Sequence, residues 1–216
     1  ANQLILSIAR ERNVRLVTKG KSMVTEETGL NEVLVENGLE VFETDLGEFI
    51  IQLLERPPFH IQGPALNIPV QEICDLFLEK GVMKEPTLEP VELGHAARVF
   101  LRDKFHHVEM GITGVNFAVA ETGTIINVEN EGNIRLTKSS PPIQVSVMTL
   151  EKVVPTMRDA MHMLRLLCRN CTGQKIASYA SMDTGPNKGA EVDGPRELHI
   201  VILDNGRSSF YRDPEA

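Results

Sequence analysis

Residues 197–203 read Glu-Leu-His-Ile-Val-Ile-Leu and run into the turn Asp204-Asn205-Gly206. A strand with one wet face alternates apolar and polar side chains. Here the alternation is incomplete, the pattern of a strand covered on both faces, and such a strand needs a layer on each side of its sheet. Working outward, Val14 to Thr18 alternates like a strand and ends in Lys19-Gly20-Lys21, Glu40 to Glu43 forms a short strand, and residues 143–150 form another β segment. A strand or hairpin is expected around Thr124 to Val128, and a short strand at Ile176 to Tyr179.

Helical periodicity fills the intervals. Leu4, Ile5, Ile8 and Ala9 share one side of residues 2–12, and Leu30, Val33, Leu34 and Val35 mark a helix capped by Thr28 or Asn31 and stopped at Asn37-Gly38. Leu46 to Leu54 is mainly helical in pattern, with a strand as the alternative because Phe49, Ile50 and Ile51 are bulky, and it ends at Pro57-Pro58; after the loop around His60, Pro69 and Pro90 open two further helices. Pro155 begins a helix with Met157, Ala160, Met161, Leu164, Leu167 and Cys168 on its inner face, and Asp183 to Pro195 is a polar loop. Strands alternating with helices, without an internal repeat, predict an α/β fold: a three-layer α/β/α domain with a largely parallel sheet. The whole chain, 1–216, reads as one domain, with room for a small subdomain around 55–110.

The chain has 216 residues, with 22 Lys and Arg against 30 Asp and Glu, a formal net charge of −8. That balance argues against a duplex-gripping surface, so no nucleic-acid partner is expected. No apolar run approaches a membrane span, and the opening ANQLILSIARER is charged too early for a secretory signal, so the expectation is a cytoplasmic protein without integral membrane contact. Its three cysteines make no disulfide framework: Cys168 and Cys171 form one CxxC, and Cys74 is remote. The six histidines lack metal-binding spacing, so no metal ligands and no secure cofactor are assigned. An opening without Met and the ending YRDPEA admit a fragment.

Two segments carry chemistry. Lys19-Gly20-Lys21-Ser22, followed by Glu27 and Asn31, can bring a cation and backbone donors to a carboxylate or phosphate, although it is not a complete phosphate loop and equally suits a solvated face. Gly111-Ile112-Thr113-Gly114-Val115-Asn116, followed by Glu121-Thr122-Gly123-Thr124, offers unobstructed backbone N–H groups, with Asn116 and Thr122 for polar ligand atoms and Glu121 as acid/base candidate; a structural turn cluster fits the same residues. Asn130 to Asn133 reads as a hairpin or polar rim. Asp204, Asn205 and Arg207 form a further turn in which Arg207 suits a carboxylate.

Five segments together resemble the LUD domain of the lactate-utilisation iron-sulfur protein family, most closely its B-type component: KSMVTEETGLNEVL at 21–34, ETDLGEFIIQL at 43–53, GITGVNFAVAETGTIINVENEGN at 111–133, EKVVP at 151–155 and DGPRELHIVILDNGR at 193–207. The C-type component, which also carries a LUD domain, is the competing match. The resemblance implies a fold of the NagB/RpiA/CoA-transferase-like group and a part in a complex that oxidises L-lactate to pyruvate and passes electrons through the other lactate-utilisation components. It also implies a C-terminal ferredoxin-like domain, absent from this chain, that holds 4Fe-4S clusters. The isolated chain is then not expected to turn over by itself.

The motif match puts Lys21, Glu27 and Asn31 in the first block, Gly114, Asn116, Glu121, Thr122 and Gly123 in the central one, and Asp204, Asn205 and Arg207 in the last. Together they are the expected site for a small anionic ligand, which requires them to converge on one recess. The alternatives are a stand-alone, metal-independent isomerase or acyl/CoA-transfer-like enzyme, and a non-catalytic assembly module.

Overall fold

The computed structural model describes residues 1–56, 59, 63–189 and 192–213; the predicted Pro57-Pro58 stop and the centre of the loop around His60 lie outside the described residues. The strands are β1 (Leu16–Lys19), β2 (Glu40–Glu43), β3 (Met110–Thr113), β4 (Phe117–Val119), β5 (Thr124–Glu129), β6 (Ile143–Thr149), β7 (Val153–Val154), β8 (Tyr179–Asp183) and β9 (Glu197–Leu203). The helices are α1 (Asn2–Glu11), α2 (Met23–Glu27), α3 (Leu30–Glu36), α4 (Leu46–Leu54), α5 (Val70–Glu79), α6 (Pro90–His107), α7 (Asn133–Ser139), α8 (Met157–Thr172) and α9 (Arg207–Phe210).

Five strands form one parallel sheet in the order β2-β1-β3-β6-β9. Its faces follow from strand parity. Val17, Val41, Met110, Ile112, Val145, Val147 and Val201 point to one side, where they pack with Ile5 and Leu6 of α1 and Leu30 and Leu34 of α3. On the other side Phe42 joins a core built by α4, α5 and α6, with its ring 5.9 Å from that of Phe100. Helices therefore cover both faces of the central strands, but residues 197–203 do not meet the expected burial on both faces: β9 is an edge strand whose Ile200 and Ile202 are exposed.

Local chemistry sets the boundaries. Asp45 caps α4 by accepting from the N–H groups of Gly47 and Glu48 at 3.0 and 3.2 Å. Thr156 and Asp159 form a reciprocal capping box at the start of α8, which ends at Gly173 in the left-handed region. The helix predicted to stop at Asn37-Gly38 is α3, but its N-cap is Gly29, at φ +58°, and not Thr28 or Asn31, and the short α2, capped by Ser22, precedes it.

Three expectations are corrected. The sheet is not one largely parallel array, because a second sheet, β7-β4-β5-β8, sets β5 antiparallel to both β4 and β8. Residues 130–133 do not make a hairpin: Gly132, at φ +81°, starts α7. The strand placed at Ile176 to Tyr179 runs from Tyr179 to Asp183, taking the first residue of the supposed polar loop.

Gly111 shows why the central glycine-rich stretch is hard to read. It lies inside β3, and a Cβ there would overlap the carbonyl oxygen of Thr137 in α7. The glycine lets helix and strand backbones approach each other. The first half of a run with the look of an open ligand loop, Gly111 to Thr113, belongs to the central strand of the parallel sheet.

Candidate functional site

In an open α/β sheet, ligands bind beyond the carboxyl ends of the strands where the chain changes direction across the sheet. Here β1 lies between β2 and β3, so that point falls at Gly20 and Gly114. The two loops meet closely: Gly20 donates its N–H to Ile112 O at 2.9 Å, and a Cβ on Gly114 would lie 2.9 Å from Ser22 Oγ. Gly114 accommodates this loop contact, and its carbonyl accepts from Asn127 Nδ2 at 2.7 Å.

Beside that point lies a buried polar cluster. Lys19 ends β1 on the same side as Val17, and Glu43 ends β2 on the same side as Val41. Lys19 Nζ donates to Glu43 Oε1 at 2.5 Å, and Asn31 Nδ2 from α3 donates to the same oxygen at 2.7 Å. Lys19 is 1% and Glu43 3% exposed, so the pair is removed from water. Such a pair offsets its desolvation only through close geometry and further hydrogen bonds.

A second pair borders it. Lys21 Nζ lies 3.6 Å from Glu48 Oε1; the lysine is partly exposed and the glutamate buried. Burial pushes the Glu48 carboxyl above its usual range, the charges of Glu26 and Glu43 push the same way, and Lys21 and Lys19 oppose them.

Glu43 Oε2, Asn31 Oδ1 and Glu48 Oε1 are buried acceptors without a hydrogen-bond donor among the described residues. Together they suit a ligand or water presenting O–H or N–H groups. Glu48, with its raised affinity for a proton and a lysine nearby, can exchange a proton with such a group.

The structure distributes the sequence-predicted residues among several arrangements. Lys21 and Asn31 belong to this cluster. Glu27, Asn205 and Arg207 meet in another, where Arg207 donates to Glu27 at 2.9 Å and to Glu151 at 3.1 Å, and Asn205 donates to Glu27 at 3.0 Å. Asp204 accepts from Ser208 N and Oγ, tying down α9. Asn116 Oδ1 accepts from Val128 N, and Thr122 shares a hydroxyl contact with Thr124. Gly123, at φ +70°, makes the turn between β4 and β5. Glu121 accepts from Met157 N at 3.3 Å, at the start of α8.

Sequence reading assigns no role to Glu43 or Glu48 and names Lys19 only as part of the basic run beside Lys21. Parity holds the signal for Lys19 and Glu43: each lies two residues beyond a buried valine, which places a charge on a core-facing side and requires a partner. The cysteines do not fit a four-thiolate cluster. Cys74 is buried with the α4–α6 core, Cys168 is buried under β4 and β5, and Cys171 is exposed. Among the described residues no group of three His, Cys, Asp or Glu side chains is placed to hold a metal, and no helix is long and apolar enough to cross a membrane.

The LUD domain family model matches residues 1–203. Lactate utilization protein B of Bacillus velezensis is 46% identical over 209 residues, covering 96% of this chain and 44% of that protein. Lactate utilization protein B of Bacillus cytotoxicus is 47% identical over 210 residues, covering 97% and 44%. The chain thus spans less than half the length of these relatives. The crystal structure of a DUF162 family protein from Deinococcus radiodurans aligns over 94% of this chain and 98% of its own, at 18% identity and a TM-score of 0.40.

Proposed function

The chain belongs to the LUD domain family, and on that premise we propose that it is the LUD-domain portion of a lactate-utilisation protein, supporting oxidation of L-lactate to pyruvate with electron transfer through partner proteins. The observation that carries this reading is the 46–47% identity, across nearly the whole chain, to proteins named Lactate utilization protein B.

Two-electron oxidation needs a redox group. The cysteines here do not suit a 4Fe-4S cluster, so this reading assigns electron carriage to parts of the protein outside the matched stretch and to the other lactate-utilisation components. The present chain is the ligand-organising and docking part. A parallel sheet with helices on both faces is compatible with the NagB/RpiA/CoA-transferase-like fold, and we take residues 1–216 as one LUD domain working in the cytoplasm.

Within that division of labour, Lys19 and Asn31 hold Glu43 in place, while Lys21 and Glu48 form the more accessible pair that binds a polar ligand or exchanges a proton. The Gly114–Asn127 contact fixes the neighbouring loop. Arg207, Asn205 and Glu27 hold the last helix against α2.

The test is lactate-dependent reduction of an artificial electron acceptor by the natural full-length protein together with its neighbouring complex components. Omitting the protein should abolish reduction, and Lys21→Ala or Glu48→Gln should slow it while the complex still assembles. Unchanged reduction without the protein would remove the reading.

A further inference from the structure

β9 is the last strand of its sheet, and its outer edge is open. Glu197 donates its N–H to Pro142 O at 3.1 Å, toward the β6 side. The backbone groups of successive strand residues point to alternate edges, so Glu197, His199, Val201 and Leu203 bond toward β6, while Leu198, Ile200 and Ile202 direct N–H and C=O outward. Among the described residues no strand, turn or loop backbone bonds to that outer edge. Natural edges are commonly blunted by lysine, proline or a bulge. Residues 197–203 contain neither lysine nor proline, and they pair with β6 residue for residue without a bulge.

The same three residues share a face. Register sets Leu198, Ile200 and Ile202 beside Gln144, Ser146 and Met148, on the side away from Val201, which packs with α1 and α3. Leu198 reaches the small core of Val115, Ile125 and Met148, but Ile200 is 42% and Ile202 56% exposed. An open edge and an uncovered apolar face thus coincide on one strand. Strand addition uses both, main-chain bonds for affinity and alternate side chains for specificity.

What fits this edge is another copy of β9. A two-fold axis sets two copies of one strand antiparallel and requires the surface to complement itself. With the axis at Ile200, the middle residue of β9, each outward residue faces another: Ile200 its own twin, and Leu198 the Ile202 of the second copy. Each such pair exchanges both of its N–H and C=O bonds, and the side chains continue as one apolar ladder on the uncovered face. Just beyond the strand ends, the same register sets Arg196 against Asp204 of the second copy. Both are exposed, and among the described residues no carboxylate pairs with Arg196. Asp204 accepts one bond on each oxygen from Ser208 and retains acceptor capacity. Opposite charges therefore meet at both ends of the contact, although each copy carries a net charge of −8.

We propose that β9 pairs antiparallel with β9 of a second copy about a two-fold axis at Ile200, joining the two parallel sheets edge to edge. This dimer depends neither on the lactate-utilisation reading nor on which ligand the domain takes.

Oxidative cross-linking of the natural full-length protein tests the register. Residues of a hydrogen-bonded antiparallel pair lie about 5.5 Å apart at Cα, within disulfide reach. In a mixture of isotopically light and heavy chains, Ile200→Cys should give a disulfide joining a light to a heavy copy at that position, located by peptide mapping. Ile176→Cys, at a residue 73% exposed outside β9, should not. Sedimentation should show the parent as a dimer at micromolar concentration. Ile200→Lys sets two ammonium groups against each other at the axis and should weaken the dimer at least about tenfold, whereas Ile176→Lys should leave it unchanged. A parent that stays monomeric at tens of micromolar would overturn the proposal. Hydrogen exchange at the Ile200 amide then says what covers the edge instead: protection in the monomer means the rest of the full-length protein, and protection only in the assembled complex means another component. A dimer that Ile200→Lys leaves intact, or the absence of the Ile200→Cys cross-link, would overturn it equally. Should Ile200→Lys fail to fold, the cross-link decides alone.

Discussion

Lys19 and Glu43 end adjacent parallel strands on the same face of the sheet, and their side chains meet at 2.5 Å in almost complete isolation from water. The strand register pairs these residues directly, so the contact follows from backbone pairing plus parity. The hydrogen bond from Asn31 adds a donor to an oxygen that already accepts from Lys19 and leaves Glu43 Oε2 without a donor among the described residues.

Removing one member of this pair leaves a charge buried without its partner. Lys19→Met or Glu43→Leu alone should destabilise the protein by about 3–5 kcal/mol, whereas the double substitution should recover much of the loss. Urea unfolding of the four proteins of the cycle measures the coupling. Additive losses in the double variant would show that the ion pair does not couple the two positions.

Two glycines should respond in opposite directions. Gly111→Ala forces a methyl group into the Thr137 carbonyl, a backbone atom that can move only with α7, and should cost several kcal/mol or prevent folding. Gly94 lies within α6, and a Cβ added there would meet nothing within 4 Å, so Gly94→Ala should stabilise by about 0.5–1 kcal/mol. Thermal unfolding of both variants checks the contrast.

Gly111 also marks the limit of what can be read from the sequence. Helical periodicity locates α1, α6 and α8, whereas the doubly apolar pattern of β9 misleads, because β9 is an edge strand that leaves Ile200 and Ile202 exposed. Gly111 lacks a side chain and Thr113 is polar, so β3 carries neither an alternating nor an apolar signal although it is central. Its neighbours explain why: Thr113, Gln144 and Ser146 form a buried hydrogen-bonded set on the face toward α7. In the second sheet β5 is legible as the strand expected around Thr124 to Val128, while β8 is displaced from its expected place because it is short, polar and largely exposed. At the site, Lys21 and Asn31 are legible from their segment, but their partners Glu48 and Glu43 arrive from a different segment, and no local spacing announces that meeting.

Glu48 predicts a pH dependence. Its carboxyl titrates above the ordinary value of 4.5 in the folded protein, mainly because it is buried. The folded state therefore binds the proton more tightly than the unfolded chain does. Its relative benefit is full below the unfolded pKa and is lost as pH rises through the folded one. Glu48→Gln removes that loss, so the variant should gain stability relative to the parent as pH is raised from about 4 to 7. A stability difference that is flat over this interval, measured by urea unfolding, would contradict the assignment.

Arg207 makes a different prediction because its partners are at the surface. Its guanidinium bridges Glu27 and Glu151, and the hydrogen bond from Arg207 is the leading cause that holds the Glu27 carboxyl below its usual range. Exposed pairs contribute little to global stability and are screened by salt. Arg207→Ala should leave the unfolding midpoint nearly unchanged, yet it removes both ion pairs that join α9 to α2 and to the segment after β6. Chymotryptic cleavage at the exposed Phe210 and Tyr211 should therefore accelerate in the variant, and high salt should narrow the difference by weakening the same bridge in the parent. Equal cleavage rates at low salt would mean that the Asp204–Ser208 bonds hold the helix end without the arginine.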